Sequence, residues 1–259
     1  MKLVEPNVEL VKCDNTLDDI KKKIELLNKK YYDTYYNIDA NSYYGLFNDL
    51  LYNDPNKLLH HATVYLTIDL GKDNKDYTCK LLKDRDSRVV IHENVAYITT
   101  TIYVLNKLMC LDALDFISDC TPIHKIRCTI DIRTSKHSAG YFLLLGENFK
   151  TNVKPIKMIK GEFEFINPIS FDYSKETLDI IIDSYKKSEE FFERLLNENI
   201  LVDEARNVLS GGVKVDLLIS TYEDDFQNIY DECFINKSID FLFIHQATIC
   251  FCLIKDEGQ

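Results

Sequence analysis

Apolar residues that recur at a spacing of three to four positions predict several amphipathic helices. Their expected positions, in chain order, are after Thr16, about 40–53, about 110–118, 175 to about 198, and after Thr221. Thr16 with Asp19 resembles a capping box, and Ser174 is a suitable cap for the longest helix. The apolar run at 239–254 predicts either a buried helix or a buried strand.

Alternation of apolar and polar residues predicts strands between these helices. The strands are expected at 2–12, 60–70, 125–135 and 163–171, with a β-hairpin over 88–105. Pro6 should bend the first strand or hold it at a sheet edge, and residues 92–94 should form the hairpin turn because Asn tolerates positive φ. His60 and His61 would begin the second strand with their side chains on opposite faces.

The order of these elements indicates the fold class. Strands and helices do not alternate as βαβ units, so we predict an α+β fold in which long helices flank a mixed or antiparallel sheet. The polar stretch 71–76 is expected to be a loop, and periodicity does not assign 138–147. No internal repeat and no linker rich in Gly, Ser or Pro interrupts the chain, so we expect residues 1–259 to form a single domain.

The formal net charge of −11 narrows the range of ligands. Duplex nucleic acid is bound by a basic face, whereas the lysine runs at 21–23 and 29–30 lie beside acidic residues. We therefore expect no duplex nucleic acid partner. A small anion stays possible, because one or two arginines suffice to bind a phosphate.

Cysteine usage and apolar segments indicate the compartment. None of the eight cysteines forms a CxxC pair, and no Cys/His cluster has zinc-ligand spacing, so we predict no metal site and reduced thiols in the cytoplasm. No segment reaches the ~20 apolar residues of a membrane span. Residues 1–13 lack the apolar stretch of a signal peptide. We therefore expect a cytoplasmic protein with no membrane-spanning segment.

Arg206, within EARNVLSGG at 204–212, is the sharpest single candidate for a binding residue. The chain has no GxGxxG, GxxxxGK(S/T) or GxSxG, which excludes the common nucleotide loops and the hydrolase elbow. We expect Asp203 to cap a short helical turn that Gly211-Gly212 ends, and the amide groups of such a turn favour an anion. Arg206 would then bind a carboxylate, a phosphate or a pyrimidine edge. The alternative is an ion pair with Asp203 or Glu204.

A second candidate group follows the strand at 125–135. His137, Arg133 and Lys136 would place three cationic or near-cationic side chains together. Such a group could hold an anion. The alternative is a basic loop in solvent.

Several segments, taken in order, resemble the flavin-dependent thymidylate synthases along nearly the full chain. They are KLVEPNVELV for the first strand, LLHHATVYLTIDL for LEHxxFTFxI, RVVIHENVAYITTTIYVL for a hairpin ending in AYITTNYRVL, FEFINP for the strand after the signature loop, and DEARNVLSGGVKVDLLIS for xxARxxLPxxxxTxLxxT. The resemblance implies an α+β homotetramer that holds FAD and makes dTMP from dUMP. Methylenetetrahydrofolate would supply the carbon and NADPH the electrons.

The resemblance also implies roles for particular residues. Arg206 matches the arginine that contacts the nucleotide, and Lys150 falls at the last arginine of the flavin signature. With Arg133, they would anchor dUMP. His137 matches the histidine that precedes the signature and His61 the histidine of a Glu-His pair, so both are expected at the cofactor.

The signature itself departs from the family pattern, which is roughly R-H-R followed by S-x-R. Tyr141, Phe142 and Leu143 stand in place of R-H-R, and Asn148 stands in place of the serine. Three hypotheses stay open. They are a working flavin-dependent nucleotide methyltransferase, a non-catalytic relative with a structural or regulatory role, and a different enzyme that modifies another pyrimidine nucleotide.

Overall fold

The computed structural model describes residues 1–12, 16–32, 43–55, 57–72, 75–155, 163–168, 173–235 and 240–257. The strands in these ranges are β1 Lys2–Val4, β2 Asn7–Leu10, β3 Thr63–Asp69, β4 Arg88–His92, β5 Val95–Thr101, β6 Arg127–Ser135, β7 Lys150–Val153, β8 Glu164–Ile166 and β9 Lys214–Tyr222. The helices are α1 Leu17–Tyr32, α2 Tyr43–Tyr52, α3 Lys75–Leu82, α4 Ile102–Lys107, α5 Lys136–Leu143, α6 Lys175–Asn197, α7 Val202–Ala205, α8 Glu223–Ile235 and α9 Phe241–Glu257. Short 3-10 turns cover Leu58–His61, Leu70–Lys72, Leu111–Phe116 and Arg206–Val208.

The described strands form three sheets. The largest has the order β2-β6-β9-β7, the second has the order β3-β5-β4, and both are antiparallel throughout. The third consists of β1 and β8, which run parallel. Sheets built from antiparallel neighbours with helices outside them confirm the predicted α+β class.

The two predicted helix caps at Thr16 and Ser174 are present. Thr16 Oγ1 accepts from the Asp19 N–H at 3.2 Å, and Ser174 Oγ accepts from the Thr177 N–H at 3.2 Å. Each bond satisfies one of the N–H groups that the first helical turn leaves without a partner. The predictions of α1 and α6 are therefore confirmed together with their first residues.

Pro6 divides the N-terminal segment as predicted. β1 ends at Val4 and β2 begins at Asn7, and the two strands belong to different sheets, with partners β8 and β6. Proline has no N–H to donate to a ladder. One extended segment therefore takes part in two sheets.

The predicted hairpin is formed by β4 and β5. Glu93 and Asn94 connect them with φ values of 48° and 66°, the two positive values that a two-residue turn of this kind needs. The predicted hairpin extended to residue 105, whereas β5 ends at Thr101. Thr101 Oγ1 accepts from the Val104 N–H at 3.3 Å and caps α4, so residues 102–107 are helical.

The segment around His60 and His61 differs from the prediction. Both residues lie in the 3-10 turn Leu58–His61, and the strand begins only at Thr63. The turn forms because the Asp54 carboxylate accepts from the Leu58 and Leu59 N–H groups at 2.8 and 2.7 Å. The predicted opposite orientation of the two histidines on a strand was therefore wrong.

Between residues 71 and 147 two predictions are corrected, and one stretch that periodicity left open is assigned. The expected loop at 71–76 ends in α3, which begins at Lys75, while residues 73–74 lie outside the described ranges. The helix expected at 110–118 is the 3-10 turn Leu111–Phe116. The unassigned stretch 138–147 is largely the helix α5, which Ser135 caps by accepting from the Ser138 N–H at 3.0 Å.

The C-terminal third also contains differences. Leu201, not Asp203, precedes α7, and no side chain caps that turn. Thr221 lies inside β9, and α8 begins at Glu223, whose N–H donates to the Ile126 carbonyl at 3.1 Å. The run at 239–254 forms the helix α9 from Phe241. Of the strand predicted at 163–171, residues 169–171 lie outside the described part.

The strands β6 and β9 are buried on both faces. Ile130 and Ile132 pack in an apolar cluster with α5, α8 and α9. On the other face, Thr129 accepts from Lys23 at 3.1 Å and Asp131 accepts from the Tyr31 hydroxyl at 3.0 Å, and both partners lie on α1. A polar row thus lies under a helix, in the middle of the protein.

Candidate functional site

A polar cleft lies where the ends of strands from two sheets meet. It contains about 270 Å³ of empty space that opens to solvent. Its charged lining consists of four cationic and two acidic side chains, which are Arg85, Arg88, Arg127, Lys150, Asp86 and Asp225. We call this space the cationic cleft.

Strand register brings these side chains together. Arg127 is the first residue of β6 and pairs with Tyr222, the last residue of β9. Lys150 begins β7 opposite Ser220, two residues before that end of β9. Arg88 begins β4 in the neighbouring sheet. The cleft is therefore built on strand ends, which hold side chains more rigidly than loops do.

Arg127 forms the buried base of the cleft. The residue is 6% exposed, and its guanidinium donates to Thr63 Oγ1 and to the His60 carbonyl, both at 2.9 Å. A guanidinium has more N–H donors than these two acceptors use. Among the described residues no carboxylate forms an ion pair with it. Burial lowers the pKa of Arg127, but a guanidinium stays protonated in proteins.

The other three cations each have a carboxylate partner. Lys150 Nζ lies 2.8 Å from Asp86, Arg88 lies 3.2 Å from Asp225, and Arg85 binds Glu147. These pairs balance their own charges and leave the charge of Arg127 without a counterion from the described chain. The cleft therefore favours an anion at its base.

His60 adds a neutral ring to the wall. Its imidazole stacks on Tyr103 with 3.7 Å between ring centroids. Burial, with the charges of Lys150 and Arg127, lowers the pKa of His60 from 6.5 to about 4, against the opposing effect of Asp86. The ring is therefore uncharged at neutral pH and does not supply the positive charge of the cleft.

Tyr222 completes the wall and stays protonated. Burial raises its pKa to about 12, although Arg127 and Arg88 act in the opposite direction. Its hydroxyl lies 2.8 Å from the Asp86 carbonyl and 3.0 Å from the Thr99 carbonyl. The phenol is thus a hydrogen-bond donor within the protein and not a nucleophile.

Of the residues predicted for the site, the structure places Lys150 in the cationic cleft. His61 lies next to His60 but is 0% exposed, and its Nδ1 lies 2.7 Å from Ser220 Oγ. Burial holds the pKa of His61 well below its ordinary value. Its ring is enclosed by protein, and it does not line the cationic cleft.

Arg133 and His137 lie at the opposite end of β6 from Arg127. The two arginines are six positions apart along the strand, a distance of roughly 20 Å. Arg133 Nε lies 3.5 Å from Asp216, and His137 is exposed, with its Nε2 3.9 Å from Asp240. The structure therefore does not bring these two residues together with Lys150.

Arg206 forms the ion pair that was the alternative to a binding role. Its Nη1 lies 3.2 Å from Asp203 Oδ1, and about half of the side chain is exposed. It does not line the cationic cleft. Nearby, Gly212 allows a close approach, but the approaching group is Tyr185, whose ring atoms lie 2.3–2.5 Å from the position of a Cβ.

Arg88, Arg127 and Tyr222 also line the cleft and were not predicted from the sequence. One signal for Arg127 is present in the sequence, since it shares one face of the strand with the polar Thr129 and Asp131. Alternation of this kind ordinarily indicates a strand whose polar face meets solvent, so the sequence places Arg127 on that face but does not show that it is buried. No comparable signal marks Arg88 or Tyr222, which reach the cleft through the packing of two sheets.

Two further features of the structure bear on the predicted partners. In the described part of the chain, no three His, Cys, Asp or Glu side chains are grouped so that they could hold a metal ion. None of the described helices combines the length and the apolar character needed to cross a membrane.

The fold and the cleft define an α+β protein with a partly buried cationic cleft that opens to solvent. No protein-family model matches the chain, and no curated protein matches it.

Proposed function

We propose that this chain binds a pyrimidine nucleotide such as dUMP, with the phosphate in the cationic cleft, as a divergent relative of the flavin-dependent thymidylate synthases. The observation that carries the proposal is the buried Arg127, which lines the cleft and has no carboxylate partner among the described residues. A phosphate matches the fork geometry of a guanidinium and would supply the missing negative charge.

The surrounding groups suit a phosphate more than a neutral ligand. Lys150 and Arg88 lie beside the same space, and their partners Asp86 and Asp225 are already neutralised by these ion pairs. A phosphate would therefore meet an excess of positive charge. Lys150 is also a residue that the family resemblance assigns to the nucleotide, which connects the cleft with that resemblance.

His61 and the residues at the position of the flavin signature do not fit a dinucleotide. Phe142 is 1% exposed and packs against Phe243 with 4.7 Å between ring centroids, and Leu143 is an exposed apolar side chain. Neither offers an N–H or a cation to a pyrophosphate, and His61 is enclosed by protein. Phosphates without such partners are costly to bind in a partly buried site. We therefore derive no flavin step, and none that involves NADPH or methylenetetrahydrofolate.

The loss of the flavin contacts, together with the cationic cleft, favours a second candidate function. A relative that has lost its flavin contacts but keeps a nucleotide cleft would act as a structural or regulatory partner of an active enzyme, within a homo-oligomer or beside it. A flavin spectrum of the purified chain separates the two candidates. A yellow preparation that turns over dUMP supports the synthase, and a colourless one that binds dUMP without turnover supports the partner.

Calorimetry with dUMP tests the proposal directly. Lys150→Gln removes a cation from the cleft, and we expect the loss of a charged hydrogen bond to weaken dUMP binding by ~1.5–3 kcal/mol. Lys125→Gln is the matched control, because Lys125 is half-exposed, pairs with Asp224 and does not line the cleft. A parent chain that binds no dUMP, or equal affinity in both variants, would contradict the proposal.

Arg206→Ala distinguishes the cleft from the site that the sequence resemblance predicts. If the nucleotide binds in the cationic cleft, this variant keeps the parent affinity for dUMP. If the resemblance places the nucleotide correctly at Arg206, the affinity falls by ~1.5–3 kcal/mol while Lys150→Gln changes little.

A further inference from the structure

The imidazole of His60 lacks a hydrogen-bond partner at both ring nitrogens within the described part of the chain. His60 is 8% exposed and lines the cationic cleft. Its Nδ1 is fully enclosed by protein without a partner, and its Nε2 is not enclosed. Buried polar side chains are hydrogen-bonded in the large majority of cases. A buried imidazole at a cleft with two unused nitrogens therefore indicates a contact with a ligand.

We propose that His60 donates a hydrogen bond from Nε2 to the phosphate in the cationic cleft, and that the cleft thereby selects a terminal phosphate monoester over a diester. The inference rests on the proposed function, because it concerns the same cleft and the same phosphate. It adds a neutral contact to the cations and makes the number of free phosphate oxygens the basis of selection.

The burial of Nδ1 determines where the imidazole carries its proton. A neutral imidazole has one N–H donor and one acceptor nitrogen, and the His60 ring is neutral at pH 7 because its pKa is about 4. A buried N–H without a partner is rarer in proteins than an acceptor that is left under-satisfied. The favoured tautomer therefore has its proton on Nε2, the nitrogen that is not enclosed. An anion in the cleft can accept it.

The ring and the backbone of His60 are both held in place. The ring stacks on Tyr103 of α4, with 3.7 Å between the centroids and 27° between the planes. The His60 carbonyl accepts from Arg127 at 2.9 Å, and the Asp54 carboxylate holds the 3-10 turn that contains His60. The Nε2–H donor is therefore oriented before a ligand binds, which reduces the entropy lost on binding.

Donors reach the cationic cleft from three elements. Arg127 lies on β6, Lys150 on β7 and His60 on the 3-10 turn before β3. A guanidinium binds two oxygens of a phosphate side by side. A phosphate monoester has three free oxygens, so one oxygen is left for Lys150 and His60. A diester has no such third oxygen, and it would leave the Nε2–H of His60 without an acceptor.

Calorimetry with dUMP and with its 5′-methyl phosphodiester tests this contact. His60→Phe keeps a ring against Tyr103 but has no nitrogen. We expect this variant to bind dUMP about tenfold more weakly than the parent, the effect of losing a hydrogen bond to a charged group. It should bind the methyl ester within about threefold of the parent, because the ester has no oxygen for His60. Equal losses for the two ligands would overturn the proposal.

Two further substitutions identify the nitrogen that makes the contact. The amide group of Gln reaches the position of Nε2, and the amide group of Asn reaches the position of Nδ1. His60→Gln should therefore stay within about threefold of the parent affinity for dUMP, whereas His60→Asn should lose about tenfold. His92→Phe is the matched control, since His92 lies in the exposed end of the hairpin. Circular dichroism establishes that the variants are folded.

Nitrogen NMR of the full parent chain with labelled histidine gives a measurement that needs no stable Phe variant. The His60 Nε2 resonance is assigned by its absence from His60→Gln. It should show a bonded proton in the free protein and should shift when dUMP is added, while the resonances of His92 stay in place. A proton on Nδ1 in the free protein, or a His60 resonance that dUMP does not move, would contradict the proposal.

The contact and the nucleotide function fail in different ways. If Lys150→Gln weakens dUMP binding and His60→Phe does not, the nucleotide function stands and the contact with His60 is wrong. If the parent binds no dUMP, the nucleotide function is wrong, and inorganic phosphate becomes the probe. A shift of the His60 Nε2 resonance with inorganic phosphate then keeps His60 as a phosphate contact, and the absence of a shift removes it.

Discussion

The guanidinium of Arg88 lies 4.5 Å from the centroid of the Tyr222 ring. Arg88 begins β4 in the three-stranded sheet and Tyr222 ends β9 in the four-stranded sheet. The Tyr222 hydroxyl also approaches the carbonyl of Thr99 in β5 at 3.0 Å. The cationic cleft therefore lies at the seam between two sheets, and the same contacts build the cleft and join the sheets.

Tyr222→Phe should reduce the free energy of unfolding by ~1–2 kcal/mol, since the Asp86 and Thr99 carbonyls lose a buried donor while the ring stays under Arg88. Urea denaturation measures the change. Tyr52→Phe is the control, because Tyr52 is 93% exposed. A loss no greater than in the control would show that the hydroxyl does not join the sheets.

Ser220→Ala tests the buried polar network behind the cleft. Ser220 Oγ lies 2.7 Å from both His61 Nδ1 and Thr129 Oγ1, so its removal leaves two buried groups without this partner. We expect a loss of ~1–3 kcal/mol in urea denaturation. Ser184→Ala, on the exposed side of α6, should stay within about 0.5 kcal/mol of the parent. Similar values for both variants would contradict the prediction.

Two glycines of different surroundings should respond in opposite directions to alanine. A Cβ at Gly212 would lie 2.3 Å from the Tyr185 ring, which stacks on Phe165 and has little room to move. Gly212→Ala should therefore destabilise the fold by ~1–3 kcal/mol. At Gly140, inside α5, a Cβ meets no atom within 4 Å, and alanine should stabilise the fold by ~0.5–1 kcal/mol. Thermal unfolding of both variants decides the signs.

His60 should make stability depend on pH below neutrality. Its pKa is about 4 in the folded chain, whereas the unfolded chain has the ordinary value of 6.5. As the pH falls, the unfolded chain therefore binds the proton first. The stabilisation of the folded state that comes from neutral His60 is therefore fully present above pH 6.5. It is lost progressively as the pH falls from 6.5 toward 4.

Urea denaturation across that pH range measures the effect. His60→Phe keeps an aromatic ring against Tyr103 and should show a shallower loss of stability with falling pH than the parent. His92→Gln, in the exposed end of the hairpin, should follow the parent. Parallel curves for the parent and His60→Phe would assign the pH dependence to other groups.

Local signals in the sequence predicted much of the fold. The cap at Ser174 and the period of the helix after it are properties of neighbouring residues, and the structure has both. The turn at Glu93 and Asn94 was equally local. β9 was missed as a strand, although VKVDLLIS alternates, because its segment was interpreted through the family resemblance alone. The turn at His60 depends on Asp54, four residues before Leu58, and alternation does not report such a contact.

The cationic cleft was much less accessible to sequence reasoning. Its charged residues come from β4, β6, β7 and the segments beside them, separated by dozens of positions. Lys150 was predicted for a nucleotide through the resemblance, whereas Arg127 looked like one polar residue in an alternating strand. Only the packing of α1 over β6 shows that the polar face of this strand is buried. A side chain acquires such a role from its neighbours in space.

The break at Pro6 has a mechanical consequence. Because β1 is held by β8 and β2 by β6, the short connection through Glu5 and Pro6 works as a tether. A shift of the small parallel sheet would act first on β2, and through the ladder between β2 and β6 on the strand that begins with Arg127. The base of the cleft is thus two hydrogen-bonded strands away from the N-terminal sheet.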